Sequence, residues 1–289
     1  MQIDVPLVTG LIASQFPQWA HLPISTVSLS GWDNRTFHLG TEMSVRLPSA
    51  QHYARAVTIE QTWLPRLARE LTLPIPEPLA LGQPDIHYPW QWSVYRWLPG
   101  ETVTRHSIKD PDQFADDLGR FLLALQAIDT TGGPRRKLRG GSLSLWQPQT
   151  EAALVALGKK IDVKAASAIW KLAISAPFDP DPVWYHGDLS AGNLLIQNGE
   201  LSAVIDFGGL GIGDPACDMT IAWTLLESSS RQVFRECLGV SDSIWNRGRG
   251  WALWKALIVI AKIIETNPIE TGSSQYALDQ LIEDFERHS

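Results

Sequence analysis

Short apolar runs separated by polar turns dominate the first hundred residues, which is the pattern of a small antiparallel sheet. The polar segment 30–35 separates the first two runs and favours a turn. After the third run, Pro48 offers a helix start, and apolar side chains recur near helical spacing as far as Pro65. This part of the chain therefore predicts a sheet with a helix after its third strand. The predicted strands are 24–29, 36–39, 43–47, 79–81 and 92–97.

Beyond residue 98 the pattern changes to helical spacing, apart from one hairpin. The break at Leu98-Pro99-Gly100 indicates a boundary between two lobes, 1–98 and 99–289. Asn198-Gly199 lies between two apolar runs, 194–196 and 201–205, which is a strong signal for a β-hairpin. The predicted helices of this lobe are 112–128, about 149–175, 220–226 and 251–264.

The composition fits a folded chain with a sizeable core, because 44% of the 289 residues are hydrophobic and 19% are charged. The 24 basic and 31 acidic side chains give a net charge of −7, which argues against a nucleic-acid or anionic-membrane partner. Cys217 and Cys237 match no metal-ligand spacing and are too few for a disulfide framework. We expect a cytoplasmic protein without a membrane span, since no leader is visible and lysines interrupt the segment 251–264.

A basic loop bracketed by glycines, residues 132–141, connects two of the predicted helices. Its cationic side chains have two interpretations. A solvated connection is the expected one, and contact with an anion is the alternative. The cations of this loop are Arg135, Arg136, Lys137 and Arg139.

Polar side chains surround the predicted hairpin. Asp188 and Asn193 lie in the loop before it, and Asp206 directly follows its second strand. Because the hairpin returns the chain beside its own start, we expect these three side chains to converge. Turn formation explains any one of them, since Asp and Asn are common in turns, but it explains the set poorly.

These three side chains suit phosphoryl transfer to a hydroxyl group. The oxygen atoms of Asn193 and Asp206 are hard ligands for Mg²⁺, which takes few protein ligands and shares its shell with nucleotide phosphates. Asp188 is then available to orient an attacking alcohol and to accept its proton. The sequence therefore predicts a kinase-type site.

His186-Gly187-Asp188, with Asn193 and the later Asp206-Phe207-Gly208, resembles the aminoglycoside phosphotransferase family, and the resemblance covers nearly the whole chain. It implies an α+β, protein-kinase-like two-lobed fold with a small N-terminal antiparallel sheet plus helix and a larger, mainly helical C-terminal lobe. Residues 1–98 would bind the nucleotide, and residues 99–289 would carry catalysis and substrate binding. Asp188 would be the catalytic aspartate, Asn193 and Asp206 the Mg²⁺ ligands, and ATP the co-substrate.

A second segment carries the same resemblance. Gly213-Asp214-Pro215-Ala216-Cys217-Asp218 resembles the family's Gly-Asp-Pro-x-x-Asp segment, in which Asp218 would open a helix and brace the catalytic loop. Asp214 and Pro215 also fit an N-cap and a first helical turn. We therefore expect structural roles for both acids, and likewise for His186, because a lone histidine beside a loop is more often a packing residue than a metal ligand.

In the first lobe, Arg46 stands where kinases of this fold place the phosphate-contacting lysine, and Glu60 is placed as its helix partner. Arginine supplies a permanent charge but differs from lysine in reach and geometry. The alternative is a partly exposed strand arginine beside a chance glutamate.

The other nucleotide-binding candidates carry weaker patterns. Gly31 and Asn34 occupy the position of the glycine-rich nucleotide loop, although an Asx-turn hairpin accounts for them equally well. Tyr95 and Trp97 belong to a segment that resembles the family's interlobe strand, whose backbone would pair with adenine. We include all four as candidate nucleotide-binding residues.

The predicted function is ATP-dependent phosphorylation of an aminoglycoside-type or related hydroxylated small molecule by a monomer or homodimer. A nucleotide-binding pseudokinase or regulatory module is one alternative, and a kinase for a macrolide or sugar alcohol is another. Residues 211–216 also satisfy Gly-x-Gly-x-x-Ala, but the chain after them predicts no parallel strand, which argues against a dinucleotide-binding fold. Four tryptophans are expected in the core, with an acceptor pocket wall as the alternative. These are Trp223, Trp245, Trp251 and Trp254.

Overall fold

The computed structural model of the protein describes residues 2–27, 31, 33–135, 139–178, 181–266 and 268–287. The chain divides into two units. The first unit comprises Met1–Pro99 and Ala203–Gly209, and the second comprises Gly100–Ser202 and Leu210–Ser289. Asp206 therefore belongs to the same unit as the N-terminal residues. No helix among the described residues is long and apolar enough to span a bilayer.

The first unit is built on an antiparallel sheet with the strand order β1-β2-β3-β5-β4. Each predicted strand is present, with ends that differ by a few residues. The predicted strand 24–29 ends at Thr26, and residues 28–30 lie outside the described part of the chain. The strands are β1 (Ile24–Thr26), β2 (Asn34–Leu39), β3 (Met43–Pro48), β4 (Pro78–Gly82) and β5 (Trp92–Arg96).

The first unit also contains the helices α1 (Val5–Gln15) and α2 (Ala54–Leu67). The sequence predicted α2, and Pro65 lies inside its last turn. It did not predict α1, although the signal was present. Asp4 caps this helix by accepting a hydrogen bond from the Leu7 N–H at 3.1 Å, and a proline follows in the first turn.

The core of the first unit surrounds Trp92 on β5, whose side chain is completely buried together with that of Tyr88. Gly82, on the neighbouring strand, leaves room for the indole. A Cβ atom at Gly82 would lie 2.0 Å from Trp92 Cε2, so no other residue fits without a shift. The Tyr88 hydroxyl donates to the Pro48 carbonyl at 2.6 Å, which satisfies its buried polar atom.

The second unit is mainly helical, as predicted. Its strands are short. They are β6 (Glu101–Thr102), β7 (Val183–Tyr185), β8 (Leu194–Gln197), β9 (Glu200–Val204), whose last residues pass into the first unit, and β10 (Gly211–Gly213). Its helices are α3 (Pro111–Ala127), α4 (Gln147–Leu157), α5 (Val163–Ser175), α6 (Ile221–Thr224), α7 (Ser228–Leu238), α8 (Asp242–Ile260) and α9 (Pro268–Arg287).

The single helix predicted over about 149–175 is wrong, because the chain forms α4 and α5 with a break between them. Gly158 ends α4 at a φ of +48°, a backbone conformation that side chains with a Cβ rarely adopt. Asp162 then starts α5, since its side chain accepts a hydrogen bond from the Ala165 N–H at 2.9 Å. The apolar spacing continues through this break, which is why periodicity alone missed it.

The predicted hairpin is present as β8 and β9. Asn198 and Gly199 form its turn with φ values of 54° and 81°. Two successive positive φ values are the requirement of a type I′ turn, which the Asn-Gly dipeptide meets. β6 pairs with the other edge of β8, so the order of this small sheet is β6-β8-β9.

Tryptophans fill much of the core of the second unit. The four that were expected in the core are all buried, which confirms that interpretation; they are Trp223, Trp245, Trp251 and Trp254. Trp223 stacks against Trp245 with ring centroids 4.7 Å apart, and Trp251 meets Trp254 edge to face at 5.8 Å. The high tryptophan content thus serves packing in this unit, where α8 lies against α5 and α9.

Candidate active site

The loop that carries Asp188 is held in place through its backbone. It follows β7, which pairs with β10. The carboxylate of Asp218 accepts hydrogen bonds from the N–H groups of His186 and Gly187, both at 2.7 Å. Gly187 has a φ of +83°, which explains the glycine at this position. The predicted brace by Asp218 is confirmed, although Asp218 lies within the 3-10 helix Pro215–Thr220 rather than at its start.

Asp218 is completely buried, and this burial raises its pKa. The interaction with His186 and the two backbone donors oppose that rise. His186 is itself fully buried, and its Nδ1 atom accepts a hydrogen bond from the Asp188 N–H at 3.2 Å. His186 is therefore a hydrogen-bonded packing residue, as expected.

Asp214 has the structural role that was predicted for it. It caps the 3-10 helix by accepting the Ala216 N–H at 3.1 Å, and Pro215 occupies the first turn. Its carboxylate also forms a buried, bidentate ion pair with Arg247 on α8, with distances of 2.6 and 3.1 Å. The sequence gives no sign of this partner, because no local pattern joins Asp214 to Arg247.

The side chain of Asp188, in contrast to that of His186, is exposed, with 55% of it accessible. Asn193 lies on the short 3-10 helix Ala191–Asn193, and its amide nitrogen donates to the Asp188 carbonyl at 2.8 Å and to Asp188 Oδ2 at 3.3 Å. Arg139 Nη2 lies 3.7 Å from Asp188 Oδ1. Asp188 and Asn193 are thus brought together within the second unit, next to one cation of the basic loop.

In the first unit, Arg46 on β3 lies between two carboxylates. Its Nη2 atom donates to Asp206 Oδ1 at 2.8 Å, and its Nη1 atom lies 3.6 Å from Glu60 Oε1. Glu60 is buried on α2, and its other carboxylate oxygen accepts the hydroxyl of Tyr95 at 2.5 Å. The predicted pairing of Arg46 with Glu60 is confirmed, and the name Arg46 cluster is used below for Arg46, Glu60, Tyr95 and Asp206.

The electrostatics of the Arg46 cluster favour its charged form. Burial disfavours the guanidinium, but the charges of Asp206 and Glu60 outweigh that cost, so the pKa of Arg46 is raised. Burial and the neighbouring Glu60 raise the pKa of Tyr95 well above its ordinary value, so its hydroxyl stays protonated as a donor. Asp206 adopts a φ of +63°, a conformation that is costly for a residue with a Cβ and that recurs at functional sites.

The remaining nucleotide-binding candidates all belong to the first unit. Gly31 is exposed, and its carbonyl accepts a hydrogen bond from Arg35 at 2.6 Å. Asn34 begins β2, opposite Pro48. The Trp97 N–H donates to the Glu42 carbonyl at 2.8 Å. Ser30 and Trp32, which flank Gly31, lie outside the described residues.

The donor chemistry of Asn193 and Asp206 fits a magnesium ion, since both offer hard oxygen atoms. The Asp206 side chain is 31% exposed, and its Oδ1 atom accepts the hydrogen bond from Arg46. Among the described residues, no group of three or more His, Cys, Asp or Glu side chains forms a metal site. The convergence of Asp206 with Asp188 and Asn193 stays a prediction.

The model of the phosphotransferase enzyme family, known as APH, matches residues 25–254. The chain belongs to this family. The match includes the loop of Asp188 and Asn193, its brace Asp218 and the Arg46 cluster. It therefore confirms the resemblance that these residues indicated.

The chain has curated relatives that agree with that assignment. It is 31% identical over 142 residues to an aminoglycoside 3'-phosphotransferase of Escherichia coli, a match over 47% of the chain and 52% of the relative. The chain thus spans about half the length of the curated relatives that it matches first.

Solved structures show the fold over the whole chain. The structure of APH(2")-IIia, determined as a GDP and kanamycin complex, matches with a TM-score of 0.73 and 18% identity over 98% of this chain and 99% of that one. The macrolide 2'-phosphotransferase MphH of Brachybacterium faecium matches with a TM-score of 0.61 and 19% identity over 95% and 98%. The predicted kinase-like α+β fold is therefore confirmed.

Proposed function

We propose that the protein transfers the γ-phosphate of ATP to a hydroxyl group of a small molecule. The observation that carries this proposal is the contrast between the carboxylate of the catalytic loop and the carboxylate that supports this loop. A buried carboxylate, Asp218, fixes the backbone, while the carboxylate of Asp188 is exposed and held next to Asn193. A rigid loop that presents one accessible carboxylate suits a group that must meet a substrate hydroxyl in a defined orientation.

Asp188 orients the acceptor hydroxyl and accepts its proton as the new oxygen–phosphorus bond forms. Asn193 and Asp206 would hold a magnesium ion, which would neutralise charge on the nucleotide phosphates. The amide nitrogen of Asn193 donates to Asp188, and this contact keeps the two side chains at a fixed distance from each other. The second lobe, residues 99–289, supplies catalysis and the acceptor site in this proposal.

The first lobe, residues 1–98, binds the nucleotide. Arg46 contacts the phosphates with a permanent charge, and Glu60 holds Arg46 from α2. Gly31 and Asn34 lie along the phosphates, and the backbone near Tyr95 and Trp97 contacts the adenine. The nucleotide complexes of related enzymes support this role, and APH(2")-IIia was solved with GDP. Parallel assays with ATP and GTP establish which base the site accepts.

An aminoglycoside-type acceptor is proposed first. Support comes from the aminoglycoside phosphotransferases among its relatives and from the net charge of −7, which suits a cationic ligand. A macrolide or a neutral sugar alcohol is the alternative acceptor, and the similarity to MphH supports it. We place the enzyme in the cytoplasm as a monomer or homodimer, where a reducing environment suits the free thiols of Cys217 and Cys237.

The experiment that tests this function is release of ADP from Mg-ATP across a panel of aminoglycosides, macrolides and small alcohols, with Asp188→Asn as the control. At least one acceptor is expected to raise ADP release above the rate with ATP alone, and Asp188→Asn is expected to abolish the increase. Activity only with a macrolide or a sugar alcohol would overturn the acceptor class and leave the kinase intact. ATP binding without any acceptor-dependent release, unchanged by Asp188→Asn, would contradict the proposed enzyme.

One contact favours a second function, a nucleotide-binding regulatory module. The Arg46 guanidinium donates a hydrogen bond to Asp206 Oδ1. In a kinase, Asp206 is the carboxylate that would hold the metal ion. In a regulatory module this ion pair would persist with nucleotide bound. Magnesium dependence of nucleotide affinity separates the two functions, because only the kinase requires Asp206 to exchange Arg46 for the metal.

A further inference from the structure

The geometry of the second unit points to Arg139 as a positioning residue for Asp188, an inference that rests on the proposed function. Its Nη2 atom lies 3.7 Å from Asp188 Oδ1. This distance is beyond a hydrogen bond, so the contact acts through charge. Arg139 belongs to the basic loop for which the sequence left open a contact with an anion. Its ion-pair partner is the carboxylate of Asp188, and its charge also acts to lower the pKa of the buried Asp218.

Hydrogen bonds hold the backbone of Arg139 and Gly140 against β7 and the residue that follows β10. The Tyr185 hydroxyl donates to the Arg139 carbonyl at 2.6 Å, and the Asp214 N–H donates to the Gly140 carbonyl at 2.9 Å. Gly140 has a φ of +63°, and a Cβ atom there would lie 2.1 Å from the Tyr185 ring. Only glycine permits this close approach, so the loop is fixed on β7 and on the residue that follows β10.

The side chain of Arg139 is also confined. Its guanidinium lies 5.8 Å from the centre of the Trp254 ring, within reach of a cation–π interaction. Trp254 is buried on α8, and its indole N–H donates to Gln149 Oε1 at 3.0 Å. An arginine that is fixed at both its backbone and its guanidinium loses less conformational freedom on pairing than one at an open surface.

The two carboxylate oxygens of Asp188 therefore face different partners. Oδ2 accepts the amide of Asn193 at 3.3 Å, and Oδ1 faces the guanidinium of Arg139. Two partners on opposite oxygens restrict rotation of the carboxylate about its last bond. Arg139 thereby sets which oxygen is presented to the acceptor hydroxyl, and its loss lets the carboxylate turn away from the reactive orientation.

The experiment compares Arg139→Gln, Arg139→Lys and Arg139→Ala with Arg135→Gln, using the full chain and an acceptor that the wild type phosphorylates. Arg135 is the matched control, because it is an exposed cation of the same loop. Arg139→Gln is expected to lower kcat by roughly 10- to 100-fold with the KM for ATP changed less than about twofold, since a misplaced reacting group costs rate rather than nucleotide binding. Arg139→Lys is expected to keep more activity than Arg139→Gln.

Chemical rescue distinguishes positioning from a folding defect. Added guanidinium at millimolar concentration is expected to restore part of the kcat of Arg139→Ala and none of that of Asp188→Asn. Equal activities of Arg139→Gln and Arg135→Gln, or a loss shared by KM and thermal stability without rescue, overturn the inference about Arg139. If Asp188→Asn has no effect in the same assay, the proposed function itself fails, so the two failures are distinguishable.

Discussion

Two carboxylates, Asp188 in the second unit and Glu60 in the first, lie in opposite environments. In the second unit, Asp188 is 55% exposed, and a different, fully buried carboxylate, Asp218, holds its loop. In the first unit, the side chain of Glu60 is only 5% exposed and is held directly by Arg46 and Tyr95. In the second unit, the proposed reactive carboxylate and its support are thus two different residues. In the Arg46 cluster, the charges proposed for nucleotide binding also support one another. Substitution of Asp188 should therefore change activity alone, whereas substitution of Arg46 should change activity and stability together.

The largest effect is expected for Asp188→Asn. This change removes the proposed proton acceptor and is expected to lower kcat by about 10³- to 10⁴-fold, the upper range for a general base. Because the side chain is exposed, we expect the free energy of unfolding to change by less than about 0.5 kcal/mol. Steady-state kinetics and urea denaturation measure the two quantities. A loss of stability equal to the loss of activity would contradict the division of roles in the second unit.

Arg46→Met is expected to change both quantities together. It leaves Glu60 buried without its cation, which should cost about 3–5 kcal/mol in the free energy of unfolding, and it removes the proposed phosphate contact, so the KM for ATP should rise. The matched control is Arg96→Gln, which removes an exposed ion pair with Glu77 in the same sheet, and it should cost less than about 1 kcal/mol. Comparable losses for the two variants would show that the cluster is not a buried charge network.

Asp218→Asn tests the support of the catalytic loop. An amide oxygen replaces only one of the two acceptors that bind the N–H groups of His186 and Gly187, so one buried donor loses its partner at a cost of about 1–3 kcal/mol. A lower kcat should accompany this loss, because Asp188 follows these residues directly. Hydrogen exchange at the two amides provides the local readout, and unchanged protection there would exclude Asp218 as their support.

The smallest effect is expected for an exposed pair on α3, Asp116 and Arg120, whose atoms lie 2.6 Å apart. The hydrogen bond from Arg120 lowers the pKa of Asp116. A lowered pKa contributes stability above the ordinary value of the carboxyl group and loses it as the pH falls through the value in the folded protein. Asp116→Asn should therefore cost about 0.3–0.5 kcal/mol at pH 7 and less at pH 3. An equal cost at both values of pH would rule out the charge of Asp116 as its source.

The sequence predicted the elements whose signal is local. Three predictions depend on neighbouring residues, and the structure contains each feature. They are the Asn198-Gly199 turn, the contact between Asp188 and Asn193, and the strands of the first unit. The break at Gly158 and the helix α1 were missed because single capping residues, rather than periodicity, determine them. The signals in the sequence are Asp4 before α1 and a glycine, Gly158, at the end of α4.

An ion pair between distant residues was predicted in the first unit, but none was predicted in the second. Arg46 and Glu60 were paired in advance only because a family resemblance placed them. Arg247 with Asp214, and Arg139 with Asp188, bring together residues far apart in the chain, and no local pattern specifies such pairs. The basic loop did signal that an anion was possible, but its charge alone did not indicate which one.

The most direct test of the account is the mass of the acceptor after incubation with Mg-ATP and the protein. A phosphotransferase that works through Asp188, Asn193 and Asp206 adds one phosphoryl group to the acceptor, in a stoichiometry of one per ADP formed. Asp188→Asn and Asp206→Asn should both abolish this product, although their residues belong to different units. ADP formation without a phosphorylated acceptor, or full product from either variant, would contradict the account.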